Sequence, residues 1–164
     1  MKQWFSDYVD WMLDSQNGID ECNTLNNHGT WYDVQIVAFS VFADRPETAV
    51  RQLEKYTVDR AMQQITDDGR QPHEIARTLS LNYSTYNLLA FFILSHFANK
   101  LGIDFQEVDA KLQQALNFLQ PYLEHAETWP YEQIKPFNRK IADRLDALLA
   151  EKSPDWRALL LFSE

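Results

Sequence analysis

The chain has 164 residues, with 15 Lys and Arg against 24 Asp and Glu, a formal charge of −9. That balance, with a pI near 4.8, excludes a surface built wholly to hold nucleic acid, because such domains are normally basic with a pI above about 9. Apolar residues are 45% and aromatics 13%, enough for a core and too many for intrinsic disorder, and the length suits one domain or part of one.

The N-terminus, MKQWFSDYVDW, places Ser6, Asp7 and Asp10 where a secretory signal would carry an apolar run. The longest strictly apolar run, Leu88 to Leu94, falls far short of the roughly 20 residues that span a bilayer, so no membrane segment is expected. Cys22 is the only cysteine, which excludes an internal disulfide and a thiolate metal cluster. Only 4 residues are Gly, against a usual share of about 7%, and few tight turns lean toward long helices.

Apolar residues recur at helical spacing almost throughout. Trp4, Phe5, Tyr8, Trp11 and Met12 form a first stripe, with Trp4, Tyr8 and Trp11 read as core and a break at Asn17-Gly18. A second helix is predicted from near Thr30, with Thr30 and Asp33 as a capping box, through Val34, Val37, Ala38, Val41 and Phe42. A third runs from Pro46, favourable at a first helical position, to Ile65, ended by Asp67-Asp68-Gly69. The segment from Arg70 to Ser80 reads as irregular or one short turn. A fourth helix, from Ser80 to Leu101 before Gly102, is apolar nearly all round and is expected to be an inner helix. A fifth carries Phe105, Val108, Leu112, Ala115, Leu116 and Leu119, a sixth Ile134, Phe137, Ile141, Leu145 and Leu148, and Pro154 to Phe162 could add a short seventh. No strand-like alternation is convincing. The expected class is all-α: antiparallel helical hairpins, as in a bundle, solenoid or toroid.

Two segments read as chemistry. Asn26-Asn27-His28-Gly29-Thr30 puts two carboxamides and an imidazole in the loop before a helix N-terminus, where free amide N–H groups and the helix dipole suit a carboxylate. The plainer reading is turn residues and a helix-entry histidine. The second segment runs from Asp68 to Leu88. Arg77 falls just before the fourth helix and Tyr83 in its first turn, Asn87 shares a face with Tyr83, and Glu74 is placed to hold Arg77. Here the plainer reading is a surface ion pair and a tyrosine in an interhelical groove. His73, His96 and His125 lack metal-ligand spacing, and His96 on the apolar fourth helix reads as a core histidine. Trp129-Pro130-Tyr131 could stack on sugars or anchor a loop.

NNHGTWYDVQ followed by DGRQPHEIARTLSLNYSTYNL, with WMLDSQNGIDE upstream, resembles the alginate lyase family of polysaccharide lyases. The Asn-His pair and the Arg-Thr-x-Ser-x-x-Tyr-Ser stretch carry the resemblance, which covers about residues 4 to 100 well. Arg77 and Tyr83 are six apart, one fewer than in the best-known alginate lyases of this fold. That spacing looks more like relatives acting on mannuronan or glucuronan.

The resemblance implies part of a helical (α/α) toroid and β-elimination on uronic-acid polymers. It implies Asn27, His28, Arg77 and Tyr83 as catalytic residues, with no cofactor and no metal. Asn27 and His28 would neutralise the C5 carboxylate and stabilise an enolate-like intermediate. Tyr83 would be base, acid or both, with Arg77 favouring its phenolate. Arg70, Gln71 and Tyr86 are the expected substrate-binding residues. The implied partner is an acidic polysaccharide, with no nucleic acid and no membrane, and the implied location is periplasmic or secreted. A complete toroid of this kind holds roughly twice as many helices as are predicted here. Residues 1–164 are therefore expected to be a single incomplete domain, resembling a C-terminal half, which self-associates or pairs with the other half. Two other readings stay open. One is an inactive remnant that binds acidic polysaccharide without turnover. The other is a helical-repeat interaction protein, which predicts that Asn27-His28 and Tyr83 lie far apart. The charge of −9 opposes long-range steering of a polyanion, so positive character must be local, from His28, Arg70, Arg77 and helix ends.

Overall fold

The structure is a computed structural model and describes residues 1–150; the predicted seventh helix, 154–162, lies outside them. The fold is all-α. In chain order the helices are α1 (Lys2–Asp14), α2 (Gln16–Cys22), α3 (Asn27–Phe42), α4 (Pro46–Arg51), α5 (Val58–Gln64), α6 (Pro72–Ile75), α7 (Ser80–Lys100), α8 (Gln106–Glu124) and α9 (Arg139–Ala150). Among the described residues there is no strand, only an isolated antiparallel bridge between Leu79 and Gln133. None of these helices is long and apolar enough to cross a membrane.

α3 and α7 are the inner pair. Both bury residues around most of their circumference, so both must be covered on several sides. α1 and α2 flank α3, while α8 and α9 cover α7. The core they enclose includes Val34, Val37, Leu53, Leu88, Phe91, Leu94, Leu112, Leu119 and Leu145. Gly69, with φ +82°, closes the turn before α6, and Gly102, with φ +71°, follows α7, as expected of glycine in the left-handed region.

Four local expectations are corrected. The chain breaks at Ser15, not at Asn17-Gly18. Ser15 is extended and its side chain accepts from the Gly18 N–H, an N-cap that restarts the helix. Gly18 then serves proximity, since a Cβ there would lie 1.9 Å from the Met12 carbonyl oxygen. α3 begins three residues before Thr30, because Asn26 caps it through its own side chain. Thr30 and Asp33 are buried inside that helix and bond other elements, so they form no capping box. α9 starts at Arg139, after Ile134 and Phe137. The backbone of 132–134 is committed to the start of α7, with Ser80 N–H donating to Glu132 O at 3.2 Å and Ile134 N–H to Thr78 O at 2.9 Å. Lastly, Trp4 and Trp11 are not core: they are 62% and 49% exposed. α1 turns Val9 and Met12 inward against Tyr32 and Ile36, and Trp4, Tyr8 and Trp11 stack on one another along its outer side.

Pro46 to Gln64 is one helical run interrupted by a π turn at Gln52–Thr57. Its i→i+5 bonding brings residues five apart over one another. Gln52 and Thr57 therefore both reach Asp33 on α3, at 2.7 and 3.1 Å.

Candidate active site

The start of α3 is built from three directions. Asn26 Oδ1 accepts from His28 N–H at 3.0 Å, and Gly29 N–H donates to Asn26 O at 3.1 Å. Asn27 N–H donates to Oε1 of Glu74, and Asn27 Nδ2 donates to Oε2 of the same carboxylate at 2.9 Å. This helix start does suit a carboxylate, as expected of its dipole and free amides. The carboxylate seated there is the protein's own Glu74, brought by the short helix α6, and the amides read as free are occupied.

Glu74 extends the chain of contacts to the start of α7. Arg77 Nη1 donates to Glu74 Oε2 at 3.2 Å, and the Arg77 guanidinium carbon lies 3.4 Å from the centroid of the Tyr83 ring, a cation–π contact. Asn27, Glu74, Arg77 and Tyr83 thus form one connected cluster from α3, α6, the 76–79 linker and α7. His28 follows Asn27 in sequence and is exposed. Its Nδ1 lies 2.8 Å from Glu21 Oε1 on α2. A carboxylate only accepts, so Nδ1–H is the donor of this contact and Nε2 takes no part in it.

A buried amide network stands behind the cluster. Asn87 Nδ2 donates to Gln64 Oε1 and Gln71 Oε1, both at 2.8 Å. Gln64 Nε2 donates to Asn26 O at 3.2 Å, Thr30 Oγ1 to Gln64 Oε1 at 3.2 Å, and Gln71 Nε2 to Ser84 O at 3.0 Å. Gln71 is therefore corrected from a substrate contact to a buried tie between the 70–75 segment and α7. The other two expected substrate contacts differ from each other. Arg70 is exposed and bonded to Asp68, and Asp68 foremost, then Tyr131, push its pKa up; Arg70 in turn keeps the Asp68 carboxyl well below the usual carboxylate range. Tyr86 stacks on Trp31 of α3 with centroids 4.6 Å apart, and burial raises its pKa, with Arg144 opposing. Trp129 is buried and its Nε1 donates to Ser80 Oγ at 2.7 Å, which is the loop-anchor reading.

The local positive patch expected from His28, Arg70 and Arg77 is also corrected. Each faces a carboxylate, Glu21, Asp68 and Glu74 in turn. A polyanion would meet directed N–H donors rather than net charge. Among the described residues no three His, Cys, Asp or Glu converge as metal ligands.

Sequence reasoning missed Arg60, which on an amphipathic helix looks like one more surface charge. It is nearly buried, and its Nε and Nη2 bond Asp33 at 2.9 and 3.2 Å. Nη1 bonds Thr24 O at 3.0 Å and Nη2 bonds Cys22 O at 2.8 Å. One guanidinium therefore pins the loop that delivers Asn26, Asn27 and His28. Burial raises the Asp33 pKa, while Arg60, Gln52 and Thr57 work against that. The signal in the sequence was Gly29: a Cβ there would lie 2.1 Å from Arg60 Nη1 and 2.5 Å from Thr24 O. Gly29→Ala is expected to cost about 1–3 kcal/mol through overpacking, read from urea unfolding midpoints.

The fold is all-α, Asn27, Glu74, Arg77 and Tyr83 form one contact chain at two helix starts, and comparison with known proteins narrows the class. The sequence profile described as Alginate lyase matches residues 1–129. A solved structure, an alginate lyase from Bacteroides ovatus, superposes with a TM-score of 0.80 at 34% identity, covering 91% of this chain. The chain spans 40% of that protein's length. A search among curated proteins returns no match. The chain belongs to the alginate lyase family.

Proposed function

We propose that the chain carries the catalytic wall of a uronate polysaccharide lyase, acting on a polymannuronate- or glucuronan-type polymer by β-elimination. The observation that supports this best is the contact chain Asn27–Glu74–Arg77–Tyr83 with His28 beside it. A helical-repeat protein with an accidental motif has no reason to gather these groups from four separate segments.

In the reaction the C5 proton is abstracted, the electron pair forms the C4–C5 double bond, and the C4–O bond breaks with protonation of the leaving oxygen. The ionised carboxyl on C5 opposes the first step, because the intermediate adds charge to it. Asn27 donates to that carboxyl, which is oxyanion-type stabilisation, and His28 adds a second donor, Nε2–H, only as the doubly protonated imidazolium, since its Nδ1–H is used by Glu21. Tyr83 takes the C5 proton and returns one to the leaving oxygen for syn elimination; for anti elimination His28 Nε2 takes it and Tyr83 donates. Arg77, lying on the Tyr83 ring, stabilises negative charge developing on the phenol oxygen.

The domain is read as one incomplete unit of a toroid, completed by further helical hairpins or by a second copy, and working in the periplasm or outside the cell as the family resemblance implies. The second reading, a remnant that binds acidic polysaccharide without turnover, is favoured by the carboxylates that face His28, Arg70 and Arg77. Incubation with polymannuronate, polyguluronate and glucuronan separates the two. A rise in ultraviolet absorbance from the conjugated unsaturated product supports the lyase and names its polymer. Binding to a polymer with no rise, by a folded chain, supports the remnant.

A further inference from the structure

Resting on the lyase reading above, we infer that Glu74 is a positioning residue: its carboxylate decides which edge the Asn27 carboxamide turns to substrate and holds Arg77 on the Tyr83 ring. Glu74 is 1% exposed, and a carboxylate so buried requires partners. Oε1 accepts the Asn27 backbone N–H, and Oε2 accepts both Asn27 Nδ2 and Arg77 Nη1.

Because an ionised carboxylate accepts and never donates, the Asn27 amide must turn its NH2 edge toward Glu74. Oδ1 in that place would set oxygen against oxygen. One N–H of the amide is thereby used, and the second is left to donate outward, the polarity that a substrate carboxylate needs. A neutral amide at position 74 removes this selection, since its own NH2 donates equally well to the Oδ1 of a flipped Asn27. The same change releases Arg77, which is held at this end by Glu74 and at the other by the face of Tyr83.

The contact is separable from folding. The 70–75 segment is tied down independently by Gln71, which bonds Asn87 and Ser84, and by Glu74 N–H and Ile75 N–H donating to Gln71 O at 3.0 and 2.9 Å. Arg77 is partly exposed and turns to water when released. Glu74→Gln should therefore fold.

The test compares wild type and Glu74→Gln on the polymer that wild type cleaves, alongside nitrogen-15 NMR of the Asn27 backbone and side-chain amides. The expected result is a kcat lower by roughly a hundredfold, the loss typical of one misplaced transition-state donor. KM should stay within about threefold, because the lost interaction belongs to the transition state. The Asn27 backbone and NH2 signals should shift upfield as the charge-assisted bonds disappear, while Asn27→Ala should gain little further loss from Glu74→Gln. Wild-type kcat in Glu74→Gln, or a kcat loss with unmoved Asn27 signals, overturns the positioning role and leaves the lyase reading standing. Wild type inert on every uronate polymer overturns the lyase reading, and the catalytic sense of the positioning with it. The Asn27 signals then report only on the contact.

Discussion

Tyr83→Phe is expected to remove turnover by about a hundred- to ten-thousandfold, the range set by loss of a general acid–base group, with unfolding unchanged. The substitution deletes one oxygen and keeps the ring, so the Arg77 contact at 3.4 Å survives and the packing of α7 against its neighbours is untouched. Tyr83 is only half-buried, so no buried partner is orphaned. What disappears is the group that moves the proton at C5, at the leaving oxygen, or at both. Initial rates from product absorbance give kcat, and thermal unfolding of the same samples gives the control. A variant retaining more than a tenth of wild-type kcat would remove Tyr83 from the chemistry and leave His28 as the base. Loss of activity with a parallel loss of stability would instead mark Tyr83 as structural.

Arg60→Leu is expected to cost about 3–5 kcal/mol of stability, the usual penalty for stripping one partner from a buried ion pair. Asp33 is fully buried and would keep only Gln52 and Thr57 as donors. The carbonyls of Cys22 and Thr24 would lose their donors as well. Asp33→Asn in the same chain should recover part of the loss, since no unpaired charge then remains. The pH dependence has a definite sign. Burial raises the Asp33 pKa and Arg60 opposes it, so without Arg60 the folded form holds a proton that the unfolded chain has released. Stability of the variant, relative to wild type, should therefore improve as pH falls into the carboxylate range and worsen as pH rises through it. Urea unfolding of both proteins across that range checks the penalty and its slope. A pH-independent deficit would place the cost in the lost carbonyl contacts alone.

The elements that the sequence made legible are those whose signal is local. α7 was bounded within a residue at its start and its end, because Ser80 and Gly102 bracket an apolar run that no other periodicity explains. The segment from Arg70 to Ser80 read as irregular or one short turn, and the structure gives it the short helix α6, opened by Pro72. Boundaries failed where a side chain had two possible jobs. Thr30 and Asp33 have the spacing of a capping box, but a buried guanidinium and the Gln64 amide compete for them and win. Ile134 and Phe137 continue the α9 stripe in sequence, yet the backbone before them is already bonded to α7, and Ile134 ends 61% exposed. Trp4, Tyr8 and Trp11 satisfy a helical stripe equally well inside or outside, because periodicity reports that residues share a face and not what that face meets.

The same division runs through the candidate site. Asn27, His28, Arg77 and Tyr83 were legible as types, since a carboxamide, an imidazole, a guanidinium and a phenol at two helix entries are the groups from which acid–base and oxyanion chemistry is made. The Glu74–Arg77 pair was legible as well, being three residues apart. The Glu74–Asn27 bond spans 47 residues, and the Arg60–Asp33 pair spans 27; no local pattern specifies either. By itself the sequence determined the all-α class, the inner helix α7, the family and the kinds of groups at the site, all of which rest on periodicity or on contiguous motifs. Only the tertiary structure decided which donors remain free. The Asn27 amides and Gln71 are claimed by partners distant in the chain, and the His28 imidazole and the Arg70 and Arg77 guanidiniums by nearer carboxylates, because burial and hydrogen-bond satisfaction depend on what packing brings to each group.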